Sequence, residues 1–532
     1  MATSVLSKPE IPQRPLGSLQ KSFRDSLVEA RVHRDRDRFI ASICHEDVCS
    51  LAASYHNGDA CKFFKPPVRG SYNICYFVQF HSPIDGAGDR WVVRVPLAPC
   101  LAFGGKSKLE TEVATMQLIA EKTTIPIPKI HAHALGDDTK PLSSFLILQY
   151  IDGRKLTHAD LRKLSDEQRT SLYTSLADIY IQLRRLEFPS IGCLARGLDG
   201  FQVCKRTVTI DLNMQELEGL APRDIQSRYC GSGTTPTSAN EYVTMLLEVA
   251  DNAFAGDRSL ISQEEGEDRL YHLHIFRQHA SGWANNNLEH GPFVLVHGDL
   301  ELFNLLFDEN MNIVSVLDWE WSRVVPCQFF KPPLWLSSTT IEDLSYGYKY
   351  KDFLAHFDKF LAVLRVLEQE KYGNEILTNE WETGKRKSGF MVANALENWT
   401  AIDWFANRWI NPRVYGGKED LQLRIKEFMR ADPTRQAFIE SRVFGVAPST
   451  SKHNQPNESR DKLLDHANKP AHTFSFKKFD NLFTADSQYR LRPSLVSRAK
   501  FLQHEKERHL RVYTFLCQPI ASVTFYCANA IS

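Results

Sequence analysis

The chain has 532 residues, more than one ordinary domain needs, and its 43% hydrophobic and 24% charged residues are typical of folded proteins. Lysine plus arginine and aspartate plus glutamate number 64 each, so the charge balance gives no reason to expect nucleic acid or an acidic membrane as a partner. The eleven cysteines are scattered and form no C-x-x-C pair, which favours reduced thiols over a disulfide framework.

The chain shows no signal for membrane insertion or secretion. No apolar run reaches the roughly 18 residues that a transmembrane helix needs, and the first residues lack the apolar segment of a secretory signal. We therefore expect an intracellular protein without a transmembrane segment, in the cytoplasm. The first 24 residues contain serine and are slightly basic, so a mitochondrial location stays open as the alternative.

The first part of the chain predicts an extension followed by a β-rich lobe. Residues 1–59 are partly helical in pattern and form the predicted N-terminal extension. In residues 60–151, NICYFVQF, RWVVRVPL and SFLILQ are typical of strands, and KLETEVATMQLIAEKT has helical spacing. The prolines of IPIPKI end that helix, since proline cannot continue it. The expected order is strand, strand, helix, strand, strand.

Helical patterns dominate residues 152–445. One long pattern begins at Ser165 and Glu167, residue types that favour a helix start. Residues 446–532 begin as a polar stretch without periodicity, and we predict a linker and a poorly ordered tail there. The chain as a whole therefore predicts an α+β fold with a small β-rich lobe and a large, mainly helical lobe.

Short strands interrupt the helices at residues 295–320, LVHGDLELFNLLFDENMNIVSVLDWE, where polar groups stand at the edges of apolar runs. Burying such groups unpaired costs free energy, so Asp299, Asn304 and Asp318 either belong to solvated turns or hold something charged. H-G-D-x-x-x-x-N followed fourteen residues later by aspartate favours the second interpretation. Asp308 is expected in the turn between the two intervening strands.

This segment resembles the aminoglycoside phosphotransferase (APH) family of the protein-kinase-like superfamily, whose catalytic loop reads H-G-D-x-x-x-x-N. WVVRVPL, TEVATM and PPLWL are similar to the large fungal branch of that family, and the resemblance covers roughly residues 60–440. It implies a two-lobed protein-kinase-like fold. It also implies transfer of the γ-phosphoryl group of ATP, with Mg²⁺, to a hydroxyl of a small molecule.

The resemblance assigns roles within the motif. Asp299 is the expected catalytic base, and Asn304 and Asp318 are the expected ligands of Mg²⁺, which prefers hard oxygen donors. His297 is grouped with the catalytic residues, although bracing of the loop explains it better than chemistry.

The smaller lobe is expected to hold the nucleotide. Gly70, Ser71 and Asn73 match the place of the family's phosphate loop, where a glycine lets backbone N–H groups approach phosphate. The backbone from Gln149 to Ile151 would contact the adenine edge. Apolar walls for the base, or ordinary core residues, are Leu146, Leu305 and Val316.

A cation on the next strand is expected to reach the phosphates. The protein-kinase pattern has lysine there, whereas this sequence has Arg94, which is always charged but differs in shape. Glu112 on the following helix would pair with it, and Glu110 competes for that role.

The acceptor site is poorly specified. An aromatic and acidic stretch, NALENWTAIDWFANRWI, is able to form a pocket for a cationic or sugar-like substrate, although helix packing explains it equally well. Its relevant residues are Glu397, Trp399, Asp403, Trp404 and Trp409. Two other functions stay open: a nucleotide-binding pseudokinase that acts through contacts, and a protein kinase.

Overall fold

The computed structural model describes residues 24–81, 88–230, 234–257, 262–386, 388–416 and 420–444. This part of the chain forms a smaller lobe built on a β-sheet and a larger, mainly helical lobe, so the predicted α+β architecture is confirmed. The predicted tail, residues 446–532, lies outside the described residues. No helix in the described ranges is long and apolar enough to cross a lipid bilayer.

The described residues of the smaller lobe form five antiparallel strands in the order β1-β2-β3-β5-β4. The strands are β1 (Cys61–Arg69), β2 (Asn73–Phe80), β3 (Arg90–Pro96), β4 (Ile130–Leu135) and β5 (Ser144–Gln149). The helices of this half of the chain are α1 (Ser26–Ala41), α2 (His45–Ser54) and α3 (Gly105–Lys122).

Strand β1 is the element of this lobe that the sequence analysis missed. Pro66 and Pro67 interrupt its pattern, and proline cannot donate a ladder hydrogen bond. The strand lies at the edge of the sheet, where proline is tolerated, and its register with β2 shifts on both sides of Lys65. Because a strand position at an edge depends on the rest of the sheet, no local pattern indicates it.

Helices α1 and α2 pack against one face of this sheet. Val32 and Val48 are buried in the same cluster as Ile74, Tyr76 and Val78 of β2. These three β2 residues alternate along the strand, as expected where one face of a sheet is covered. The extension therefore contributes to the core of the smaller lobe.

The larger lobe consists mainly of helices. Ser165 caps the N-terminus of α5 and forms a capping box with Gln168. The partner is Gln168 rather than Glu167, because the reciprocal hydrogen bonds of a capping box involve the third residue of the helix. The π-helical turn Ala406–Ile410 lies between α13 and α14. The helices are α4 (His158–Arg162), α5 (Asp166–Arg184), α6 (Ile210–Leu217), α7 (Pro222–Tyr229), α8 (Ala239–Gly256), α9 (Gln263–Trp283), α10 (Gly347–Tyr372), α11 (Ile376–Arg386), α12 (Gly389–Leu396), α13 (Thr400–Phe405), α14 (Asn411–Val414), α15 (Leu421–Arg430) and α16 (Pro433–Phe444).

In the described ranges, seven short strands lie within the helical lobe and form three small antiparallel sheets, β12-β9-β6, β10-β11 and β7-β8. The β7-β8 hairpin was not predicted. The strands are β6 (Glu187–Phe188), β7 (Cys193–Gly197), β8 (Gly200–Lys205), β9 (Phe293–Val296), β10 (Leu305–Phe307), β11 (Ile313–Val316) and β12 (Arg323–Pro326).

The β10-β11 hairpin is fixed directly to the smaller lobe and to the chain that leaves it. Arg154 and Phe307 exchange backbone hydrogen bonds of 2.8 and 2.9 Å, and the Val316 N–H donates to the Pro126 carbonyl at 2.8 Å. Residues that precede and follow this hairpin are therefore held close to the sheet of the smaller lobe.

Candidate active site

The loop after β9 begins with a sharp turn at Gly298. Its φ of +83° favours glycine, and a Cβ there would collide with the Trp321 carbonyl. Glycine is thus required for the chain to pass so close to the segment after β11. The turn leaves Asp299 half-exposed at the surface of this loop.

His297 connects the loop after β9 to the residue that follows β11. Its Nε2 lies 2.9 Å from the Leu317 carbonyl, and its Nδ1 accepts the Asp299 N–H at 3.3 Å. Burial lowers the pKa of His297 to about 4. A neutral ring with Nε2–H as donor satisfies both contacts, so the histidine holds the loop in shape.

Asn304 links the two ends of the predicted catalytic loop. Its side-chain amide donates to the Asp299 carbonyl at 2.8 Å and to Asp299 Oδ2 at 3.1 Å. Asn304 is fully buried, and among the described residues its Oδ1 has no hydrogen-bond partner. A buried oxygen without a donor is costly, which is the feature expected of a ligand for a cation.

Asp318 follows β11 in a left-handed backbone conformation, with φ of +71°. The preceding Leu317 N–H donates to the Asn304 carbonyl at 2.8 Å, which brings Asp318 next to the loop after β9. Its Oδ1 accepts a hydrogen bond from Arg94 of β3. Asp318, the last of the three predicted polar residues, therefore contacts the smaller lobe.

Arg94 is buried and bonded on two sides. Its Nη1 donates to Glu112 of α3, its Nη2 donates to Asp318, and Nη2 lies 3.3 Å from Glu320 Oε2. Glu110 instead pairs with Lys205 at 2.6 Å. The arginine therefore contacts Glu112 and not its competitor.

Two charged residues that the sequence analysis did not single out complete this cluster. Glu320 and Lys108 form an ion pair, and both side chains are at least nine-tenths buried. Burial lowers the pKa of Lys108, a shift that Arg94 reinforces and that Asp318 opposes. The available signals were the third letter of DWE and the spacing of Lys108 one turn before Glu112 on α3.

The predicted phosphate loop lies against the same cluster. Gly70 donates its N–H to the Asn73 carbonyl at 2.8 Å, so the chain turns through Ser71 between β1 and β2. The buried Asn73 side-chain amide donates to Glu320 Oε2 at 2.7 Å. All three predicted residues thus belong to one tight turn beside the acids.

The predicted adenine-binding backbone is only partly available. The Gln149 N–H donates to the Lys129 carbonyl at 2.9 Å, and the Tyr150 N–H donates to Arg90. In the described part of the chain, Ile151 makes no backbone hydrogen bond, so it is the residue of this stretch best suited to contact a base. The three suggested wall residues, Leu146, Leu305 and Val316, are fully buried.

The donor set fits Mg²⁺. Asn304 Oδ1 and the Asp318 carboxylate are hard oxygens on adjacent backbone segments, and Mg²⁺ typically binds one or two protein oxygens together with phosphate and water. In the described ranges no group of three or more His, Cys, Asp or Glu residues is arranged to hold a metal ion. The fit therefore depends on oxygens that a nucleotide would supply.

The aromatic and acidic stretch suggested for the acceptor is engaged elsewhere. Glu397 accepts from Arg323 and Lys331, and Asp403 lies 2.7 Å from His272 Nδ1. The Trp399 ring lies under a guanidinium, and Trp409 is buried. Packing and ion pairing therefore account for most of these residues.

Residues 76–326 match the profile of a family described as the phosphotransferase enzyme family, APH. A protein of Ampulloclitocybe clavipes, named clavilactone A biosynthesis cluster protein Y, is 26% identical over 249 residues, which cover 44% of this chain and 55% of that protein. The chain thus matches about half the length of this relative.

Solved structures give weaker likenesses. A proposed aminoglycoside phosphotransferase of Ralstonia eutropha JMP134 is 16% identical, with a TM-score of 0.39, over 74% of this chain and 97% of that one. The streptomycin–ATP–APH(2″)-IIa ternary complex is 12% identical, with a TM-score of 0.34, over 68% of this chain and 99% of that one.

Proposed function

Because residues 76–326 match the profile of the APH phosphotransferase family, we propose that this protein transfers the γ-phosphoryl group of ATP, with Mg²⁺, to a hydroxyl of a small molecule. The observation that carries the proposal is the meeting of the two lobes at one acidic site. Arg94 of the sheet contacts Asp318, and Asp318 follows a residue bonded to the Asn304 backbone of the catalytic loop.

In this mechanism Asp299 orients the acceptor hydroxyl and takes its proton as the oxygen attacks the γ-phosphorus. A new P–O bond forms to the acceptor, the bond between the γ-phosphorus and the bridging oxygen breaks, and ADP leaves with that electron pair. Asn304 Oδ1 and Asp318 would hold Mg²⁺, which neutralises charge on the phosphates. His297 keeps the loop in position.

Arg94 and Glu112 support the opposite side of the site. Their buried ion pair fixes α3 against β3, and the guanidinium also contacts Asp318. Asn73, on the turn above, donates to Glu320 and keeps Gly70 and Ser71 close to the same acids. These contacts favour a nucleotide whose phosphates lie between the β1-β2 turn and the catalytic loop.

A pseudokinase is the second candidate, because Arg94 bonds to the carboxylate that has to hold Mg²⁺. Such a protein would bind a nucleotide without needing the metal and would act through contacts.

The test is thermal unfolding of the full chain with ATP, with Mg²⁺ and with both. A ligand at a hundred times its dissociation constant stabilises the folded state by about 2.7 kcal/mol. We expect a rise in Tm that needs both components and is lost in Asp318→Ala. The control Asp308→Ala, in the β10-β11 turn, should keep the rise.

The outcomes separate the candidates. A rise with ATP alone that persists in Asp318→Ala would favour the pseudokinase. If millimolar ATP and Mg²⁺ together leave Tm unchanged, the proposed function is wrong.

A further inference from the structure

Lys108 occupies a buried position next to the candidate active site. Its side chain is 8% exposed, and its Nζ pairs with Glu320. The same Nζ lies 4.3 Å from the centre of the Trp321 ring and 5.5 Å from that of Tyr72. Tyr72 belongs to the β1-β2 turn, so the ammonium lies between the predicted phosphate loop and the segment that carries Asp318.

The desolvated ammonium calls for an explanation. Removing a lysine from water is costly, and one carboxylate and two aromatic faces offset that cost only while the lobes stay together. An apolar residue would fill the same position without this cost. A buried lysine beside acids that face a nucleotide is therefore more than a packing residue.

Arg94 does not leave its guanidinium free for phosphate. It donates to Glu112 and to Asp318, and Nη2 also lies 3.3 Å from Glu320. Strand β3, RWVVRVP, contains no lysine. A flexible ammonium at this site therefore has to come from another element. In the contacts described above that element is α3, which carries Lys108.

We propose that Lys108 is the phosphate-binding lysine of this site, with its ammonium supplied from α3 to the terminal phosphates of the nucleotide. Arg94 has the separate role of holding Glu112 and Asp318 in position. This inference rests on the proposed function, since it assigns a ligand contact within that site.

The chemistry of the two side chains fits this division. An arginine fork is planar and suits two fixed carboxylates, as Arg94 has here. A lysine ammonium is a compact charge on a flexible stem and is able to move from Glu320 to a phosphate oxygen without loss of its other surroundings. Glu320 then acts as a positioning residue that holds the ammonium at the edge of the phosphate site.

The experiment measures the dissociation constants of Mg²⁺–ATP and of AMP for the full chain by calorimetry. Lys108→Ala should weaken binding of Mg²⁺–ATP about tenfold, the factor that one charge-assisted hydrogen bond contributes, and leave AMP binding within about twofold. Lys108→Arg should recover part of the loss. Lys106→Ala is the matched control, because it removes an exposed lysine from the first turn of the same helix.

Lys108→Ala leaves Glu320 buried without its lysine, so the double variant Lys108→Ala, Glu320→Gln removes that charge if the single variant does not fold. The double variant should show the same selective loss of Mg²⁺–ATP affinity relative to Glu320→Gln alone.

Two results would overturn the assignment, and they differ in what else they reject. If the unaltered protein binds Mg²⁺–ATP no more tightly than AMP, the proposed function fails and the role of Lys108 fails with it. If the unaltered protein discriminates and Lys108→Ala discriminates equally well, or loses both ligands alike, only the role of Lys108 is rejected.

Discussion

At the scale of single residues, the backbone conformation of Asp318 determines which group its carboxylate contacts. A left-handed backbone is uncommon outside glycine, although aspartate is among the residues that tolerate it. The neighbouring contacts hold it there: Trp319 is buried and donates to the Val316 carbonyl at 3.1 Å, and Ser322 Oγ donates to the Trp319 carbonyl at 2.7 Å. The carboxylate is therefore presented to Arg94 by a locally constrained turn.

Asp299→Asn tests the base at this scale. The change keeps the size of the side chain but removes the proton acceptor, so turnover should fall about 10²–10⁴-fold, while Mg²⁺–ATP binding and Tm stay close to those of the unaltered protein. The measurements are ATP consumption with an accepted hydroxyl compound, and thermal unfolding.

Asp308→Asn is the matched control for this change. The Asp308 carboxylate accepts the backbone N–H groups of Asn310 and Asn312 and belongs to the hairpin turn, so turnover should stay unchanged. Full turnover in Asp299→Asn would mean that another group accepts the proton.

The sequence alone indicates a functional role for some of these residues and not for others. Asp299, Asn304 and Asp318 stand within one short segment, so their spacing alone indicates a shared role. Lys108 and Glu320 meet only after α3 packs against the segment behind β11, and no local pattern reports such a contact. The place of Glu320 in DWE and the spacing of Lys108 from Glu112 are signals in the sequence, but the contact between the two residues follows from the structure.

At the scale of elements, a buried ion network joins β12 to the end of α12. Glu397 lies just after α12, where its negative charge is unfavourable because the helix dipole is also negative at that end. Arg323 of β12 donates to its Oε1, and Lys331 donates to its Oε2 at 2.9 Å. Both carboxylate oxygens are therefore occupied, which is why this acid is poorly suited to bind a cationic acceptor.

The pH dependence of stability tests that network. Burial alone would raise the pKa of Glu397, but Arg323 and Lys331 outweigh it and lower the pKa from 4.5 to about 2. Because the folded-state pKa is the lower one, the contribution of Glu397 is present above about pH 4.5 and is lost as the pH falls toward 2. The full contribution of this pKa shift to the free energy of unfolding is about 3 kcal/mol.

Glu397→Gln should therefore destabilise the protein at pH 7 by about 3–5 kcal/mol and flatten the loss of stability between pH 5 and pH 2. Denaturant unfolding across that range measures it. The control Glu382→Gln removes a half-exposed partner of Arg365 and should cost less than about 1 kcal/mol. Equal effects of the two variants would contradict the network.

At the scale of the whole molecule, the residues around α1 join both lobes. Val32 of α1 lies in the core of the smaller lobe. Just before that helix, Arg24 pairs with Asp257 at 2.7 Å, donates its backbone N–H to Glu218 at 2.6 Å and lies 4.4 Å from the Trp399 ring centre. One short segment thus connects the sheet to the helical lobe.

Arg24→Ala should weaken that connection. Asp257 keeps its other partner, Arg269, at 2.9 Å, so we expect a loss of about 1–2 kcal/mol rather than the larger cost of an unpaired buried charge. Calorimetry measures the change in Tm. Arg38→Ala, which removes a largely exposed pair with Asp35 in the same region, should change stability by less than about 0.5 kcal/mol. Similar effects of the two variants would contradict the bridging role.

The two-lobed order could be predicted because strand and helix patterns are segregated along the chain. The bridging by α1 could not be, because its sequence, SLVEARVHRDRDRFIA, is rich in charge and carries few apolar residues. The bridging role of Arg24 depends on its contacts with Asp257 and Trp399, which are far away in sequence.

If Asp318 holds Mg²⁺ as proposed, its bond to Arg94 makes the arginine a competitor of the metal for that carboxylate. A permanently charged side chain beside the same carboxylate offsets part of its negative charge, so free Mg²⁺ binds there at a free-energy cost. A metal ion that arrives already bound to a nucleotide also brings phosphates, and their proposed contact with Lys108 offsets that cost. We therefore expect the protein to ignore free Mg²⁺ at concentrations at which it binds the metal–nucleotide complex, so that the nucleotide supply, rather than the metal supply, governs when the site fills.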